Sequence, residues 1–156
     1  MSDGGNGGFI MVEVADLHRL AGRDLGRTRW QEISQARVDA FAEATDDRQW
    51  IHVDPSRAEV SFFGTTVAHG YLTLSLAPSL LDQLVKVREA TVINYGVNRV
   101  RFPAPVPVGS RVRMGASVED VEATPGGSDV VYRLTFEVEK QPKPACVAEI
   151  VFRYLQ

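Results

Sequence analysis

A single cysteine, Cys146, and only three histidines occur in a chain of 156 residues. One thiol cannot close an internal disulfide, so no covalent framework supports the fold and a reducing compartment is compatible with it. Cations are in the minority: 17 Lys and Arg against 20 Asp and Glu leave a net charge of −3. That balance lacks the basic excess rewarded by phosphate backbones, and no nucleic-acid partner is expected. No apolar run approaches the ~20 residues that cross a bilayer, and the Gly-rich start lacks the basic and apolar regions of a signal peptide. No membrane partner and a cytoplasmic location are expected. Neither a Gly-x-Gly-x-x-Gly turn nor a P-loop is present, so no nucleotide cofactor is expected.

The remaining composition suffices for one packed unit, with 44% hydrophobic and 24% charged residues. Residues 1–8 read as a flexible tail and residues 9–156 as a single domain without repeats. A short helix is expected over 14–20 and an irregular strand over 25–33. Ser34 is a plausible N-cap for an amphipathic helix over 35–44, with Val38, Phe41 and Ala42 on its apolar stripe. Asp54-Pro55 opens another short helix to Val60, and the polar stretch between the two has no period. From His69 to about Val87, Leu72, Leu76, Leu80 and Leu84 mark one face while Leu74, Ala77, Leu81 and Val85 occupy others. This predicts one helix buried nearly all round and bent at Pro78.

Beyond Arg88 the period becomes two. Four strands are expected, around Ile93-Tyr95-Val97, Val112 to Val118, Val130 to Val138 and Cys146 to Tyr154. The apolar phase slips between Val97 and Val100, as at a β-bulge. Proline-rich and Gly-rich breaks separate the strands, and short linkers favour antiparallel neighbours. An antiparallel sheet wrapped around one apolar helix, the hot-dog arrangement in the α+β class, packs these elements most economically. Cys146 falls in the apolar alternation of the last strand and reads as a buried thiol.

The chemistry-bearing residues cluster before that helix. His18 has no polar constellation around it and reads as a surface histidine. Asp47 and His52 share one loop, where a carboxylate and an imidazole can hold and deprotonate the same water if they converge. Gly70 stands at the expected helix start, where free N–H groups and the absence of a side chain suit a developing oxyanion. His69 beside it reads as a hydrogen-bonded structural histidine. Asp47, His52 and His69 are adequate zinc ligands by type, but their spacing matches no compact ligand motif, so no metal is expected.

The segment Asp46-Asp47-Arg48-Gln49-Trp50-Ile51-His52 resembles the Gly-Asp-x-Asn-Pro-x-His motif of the MaoC-like dehydratases, a family that includes R-specific enoyl-CoA hydratases. Asp46 stands for the glycine, Gln49 for the asparagine and Trp50 for the proline. Ile93-Asn94-Tyr95-Gly96-Val97-Asn98 and Val100-Arg101-Phe102-Pro103-Ala104-Pro105 are similar to the nodulation protein N branch, and the likeness runs from Trp30 onward. The resemblance implies the hot-dog fold, Asp47 and His52 as catalytic residues and the Gly70 N–H as oxyanion donor. It also implies hydration of trans-2-enoyl thioesters, on coenzyme A or acyl carrier protein, to (R)-3-hydroxyacyl thioesters, or the reverse, with no redox cofactor. A homodimer is expected, because the sheet would otherwise leave a long unpaired edge. A hot-dog thioesterase and a non-catalytic acyl-thioester-binding subunit are the rival readings.

Overall fold

The computed structural model describes residues 8–156, so the expected tail lies, but for the exposed Gly8, outside the described residues. A short strand β1 (Ile10–Val12) leads into a 3-10 turn over Val14–Leu20, followed by β2 (Asp24–Arg27) and β3 (Gln31–Glu32). The expected irregular strand is thus two short ones, both antiparallel to the same later strand. Helix α1 (Gln35–Thr45) starts at Ser34, whose hydroxyl accepts the Arg37 N–H at 3.2 Å, and buries Val38 and Ala42. Two short helices follow, α2 (Trp50–Val53) and α3 (Pro55–Glu59), the second capped by the Asp54 carboxylate.

The single bent helix expected from His69 to Val87 is instead α4 (Gly70–Ser75) and α5 (Ala77–Leu81), with Leu76 between them. Pro78 stands at the start of α5, where its missing N–H costs nothing, so the chain breaks before the proline rather than bending through it. The helix also ends short of Val87. Val85–Val87 forms β4, parallel to β1, with Val85 and Val87 buried and Lys86 exposed. That alternation has period two, which a three-residue segment cannot distinguish from a continuing apolar helix face.

The main strands are β5 (Thr91–Arg101), β6 (Arg111–Thr124), β7 (Gly127–Val138) and β8 (Cys146–Leu155). Pro125 and Gly126, the latter at φ +79°, occupy the central positions of the tight turn that joins β6 to β7. The sheet runs β2-β6-β7-β8-β5, with β3 also on β6. The consecutive strands β6, β7 and β8 pair antiparallel as expected, but β5 does not pair with β6: it crosses to the far edge and pairs with β8. The proline-rich connection from β5 to β6 is no hairpin, and it leaves β5 free to reach the other side. The expected irregularity in β5 is a register shift between Val97 and Arg99, and a second lies between Asn94 and Gly96.

One face of the sheet carries Met114, Val118, Tyr132, Leu134, Phe136 and Ile150 against Ala77, Leu80, Leu81 and Leu84 of the helical segment. Cys146 is fully buried there, and burial pushes its thiol up to about 12, which keeps it protonated and unreactive. The wrapping order leaves β5 at an edge, and none of its eleven residues is buried.

Candidate active site

The loop after α1 and the chain entering α4 meet at one end of the sheet. His52, on α2, is 7% exposed, and its Nδ1 lies 2.6 Å from the Val67 carbonyl. A carbonyl only accepts, so Nδ1 carries the hydrogen and the neutral ring keeps its lone pair on Nε2. Burial is the main cause that lowers the His52 pKa below the ordinary imidazole value; the bond to the Val67 carbonyl opposes it most, the His69 ring adds to the lowering, and the Asp47 carboxylate opposes it least. The α2 turn is pinned twice more. The Gln35 side-chain amide donates to the His52 carbonyl at 2.7 Å, and the Val67 N–H donates to the Ile51 carbonyl at 2.9 Å.

Gln35 itself is fixed by the Thr66 hydroxyl, which donates to its amide oxygen at 2.6 Å. Neither Gln35 nor Thr66 carries a sequence signal. A glutamine at a helix start is an ordinary polar residue, and its role arises only from the tertiary approach of α1 to the turn.

His69 is 3% exposed and stacks on His52, with ring centroids 3.8 Å apart and planes 22° apart. Its Nε2 donates to the backbone carbonyl of Asp47 at 2.9 Å. The expectation of a hydrogen-bonded histidine thus describes its contact. The Asp47 side chain is exposed, and one ligating atom from each of Asp47, His52 and His69 lies within 4.8 Å of the others. An ion bonds an imidazole nitrogen in the plane of its ring at ~2.0–2.1 Å. Two stacked, nearly parallel rings share no such point, so this geometry does not suit a single metal. His18, the third histidine, is exposed, and among the described residues it bonds only the Ala15 carbonyl, as expected of a surface residue.

Gly70 opens α4, and its N–H belongs to the first turn, where no helical carbonyl is available. A Cβ at this position would meet the Phe102 ring at 3.0–3.1 Å, so only glycine fits without moving that ring.

The departures from the family motif fall on backbone positions. Asp46 closes α1 at φ +61°, a conformation that glycine adopts without strain and aspartate tolerates. Its carboxylate pairs with Arg48 at 2.8 Å. Gln49 is the N-cap of α2 and makes no side-chain cap bond there, where asparagine caps well. Trp50 is the first residue of α2, a position that suits proline, and the Arg57 guanidinium lies 4.3 Å over its ring. The departures thus change how the loop is held, whereas Asp47 and His52 retain the residue types that could act on water. Asp46→Gly should therefore keep kcat within about two-fold and leave Tm within about 2 °C of the parent or above it. A loss of activity above ten-fold in steady-state assays would show that Asp46 does more than shape the turn.

Residues 16–139 match the family described as MaoC like domain, and the chain belongs to that family. It is 52% identical over 144 residues to the 3-hydroxyacyl-thioester dehydratase Z of Mycobacterium tuberculosis, covering 91% of this chain and 95% of that protein. It is 44% identical over 142 residues to nodulation protein N of Rhizobium leguminosarum bv. viciae, covering 88% of each. The unliganded R-hydratase PhaJ1 from Pseudomonas aeruginosa shares the hot-dog fold, with a TM-score of 0.74 at 19% identity over 92% of this chain and 86% of that one. The chain is an enzyme of the hydro-lyase class.

Proposed function

We propose that the protein is an R-specific enoyl-thioester hydratase, adding water to trans-2-enoyl thioesters or removing it from (R)-3-hydroxyacyl thioesters. The observation that carries this reading is the convergence of Asp47 and His52, with Nδ1 of His52 committed to Val67 and Nε2 left as the basic nitrogen. In the hydration direction His52 takes a proton from a water oriented by Asp47, and the hydroxyl bonds to the β-carbon. The C=C bond opens, and its electrons move onto the thioester oxygen beside the Gly70 N–H. The proton then passes to the α-carbon and the thioester survives. Sequence similarity to a 3-hydroxyacyl-thioester dehydratase supports the same substrate class.

An apolar cavity of about 260 Å³ lies between the helical segment and β5, lined by Leu74, Ala77, Pro78, Val97, Ile150 and Phe152. It begins one helical turn beyond Gly70, which suits an acyl chain leading away from the thioester. No helix among the described residues is long and apolar enough to cross a membrane. A cytoplasmic thioester, on coenzyme A or acyl carrier protein, is the substrate this reading implies.

One water held by two residues on one face delivers its hydroxyl and its proton to the same side of the double bond. A water held on one face gives a single enantiomer, which the resemblance to R-specific hydratases assigns as R, so chiral chromatography of the product from crotonyl-CoA should return that enantiomer alone. An S product would contradict the R-specific assignment, and a racemate would mean that Asp47 and His52 do not hold one water.

The same reading includes a homodimer. Edge strand β5 exposes Val92, Ile93, Tyr95 and Val97 together with one full row of backbone hydrogen-bonding groups. Such an edge favours pairing with a second sheet. Light scattering at micromolar concentration should give about twice the mass of one chain, and a fully active monomer would contradict the assignment.

A further inference from the structure

We infer that His69 is the positioning residue that sets Asp47 and His52 relative to each other, an inference that rests on the hydratase reading above. Its ring is held between two others: Phe41 of α1, with centroids 4.8 Å apart at a tilt of 54°, and His52, stacked at 3.8 Å. From that fixed plane the Nε2–H reaches the Asp47 carbonyl at 2.9 Å, the sole side-chain bond to the Asp47 backbone oxygen among the described residues. One side chain therefore touches both members of the pair, one through its face and the other through its edge. The His69 carbonyl also accepts the Thr73 N–H that closes the first turn of α4, so the same residue fixes the direction of the Gly70 peptide.

The two contacts are geometrically independent. Loss of the Nε2–H frees the Asp47 carbonyl and leaves that residue, with its exposed carboxylate, only the 3.4 Å contact from its own N–H to the Thr45 hydroxyl among the bonds of the described residues. Loss of the ring opens space beside His52 and lets the imidazole tilt about its Val67 bond. Displacements of about 1 Å at reacting groups cost up to about 10²-fold in rate. A residue needed only for packing would lower stability without that selective cost.

His69 is buried, and its Nδ1 has no hydrogen-bond partner among the described residues, so among them nothing beyond the Nε2 bond demands an imidazole for polar reasons. Two partial substitutes separate the contacts. His69→Gln keeps an N–H donor near the reach of Nε2 and removes the ring, whereas His69→Phe keeps a flat ring and removes the donor. His69→Ala removes both.

With crotonyl-CoA as substrate, and with folding checked by circular dichroism and Tm, His69→Ala should lower kcat by about 10²-fold while KM stays within about three-fold. His69→Gln and His69→Phe should each recover part of that loss. His52→Gln in the same series reports on the underlying reading: full activity there would overturn the hydratase mechanism itself. An inactive His52→Gln beside wild-type kcat in the His69 variants would overturn the positioning role alone. Equal losses of kcat in all three His69 variants, matched by equal losses of Tm, would also overturn it. If His69→Ala does not fold, the Gln and Phe variants decide, and wild-type kcat in both rejects the assignment.

Discussion

His52→Gln is expected to lower hydration of crotonyl-CoA by 10²–10⁴-fold, the range that a general base contributes. Glutamine fits the approximate volume and can still donate to the Val67 carbonyl, so the α2 turn and the bonds its carbonyls accept from Gln35 and the Val67 N–H should persist. What disappears is the basic nitrogen. The pH profile of the parent carries the same signature. His52 serves as a base only when neutral, and burial lowers its pKa, so the neutral form persists as pH falls through about 6.5, the usual value for imidazole. The acid limb of kcat/KM should therefore lie below that pH. Stability follows with the same sign. The unfolded chain binds this proton at higher pH than the folded one, so the contribution of His52 is complete above about 6.5 and declines as pH falls towards the folded value.

Asp47→Asn is expected to cost at least about 10²-fold, while Asp46→Asn stays near the parent. The two carboxylates are neighbours in sequence, and only their surroundings separate them. Asp46 sits in the left-handed turn that closes α1 and is engaged by Arg48, whereas a side-chain oxygen of Asp47 lies within 4.8 Å of ligating nitrogens of both histidines. Asparagine at 47 keeps the shape and loses the negative charge that orients a water and supports the imidazolium formed during proton transfer. Steady-state kinetics of the pair give a direct reading. An inactive Asp46→Asn beside an active Asp47→Asn would shift the motif by one residue.

Periodicity carried much of the fold. The period-two runs from Val112 to Tyr154 became β6, β7 and β8 in antiparallel order, because each run is long enough to show its phase and the breaks between them are short. Periodicity could not place β5 beside β8, since pairing partners leave no trace in the alternation of a single strand. It also overextended the helix. Leu80 and Leu84 continue a helical stripe on paper, yet Leu84 ends a turn and Val85 begins β4, a strand whose parallel partner Ile10–Val12 lies at the other end of the chain. Local pattern cannot contain that contact.

The candidate site was legible to the extent that it rests on residue types at fixed spacing. Asp47 lies in the loop after α1 and His52 five residues on, in the short helix α2 rather than in that loop, and the resemblance singled both out. The residues that hold them were not legible, for a physical reason. Gln35 reaches His52 from another helix, and His69 meets His52 by stacking between segments separated by the whole of α3. Such support has no characteristic spacing. The motif departures became intelligible only through backbone geometry, because a left-handed φ at Asp46 and a first-turn position at Trp50 explain why the family pattern has glycine and proline there.

The central claim is that this site adds water to a conjugated thioester and leaves the thioester intact. The most direct test follows crotonyl-CoA with the purified protein, recording the enoyl absorbance and free thiol together. The absorbance should fall to an equilibrium value with no thiol released, and His52→Gln should slow the fall by about 10²–10⁴-fold. Thiol release in step with substrate loss would mean a thioesterase, and tight binding with undiminished absorbance would mean a subunit that holds acyl thioesters without converting them; either result contradicts the assignment.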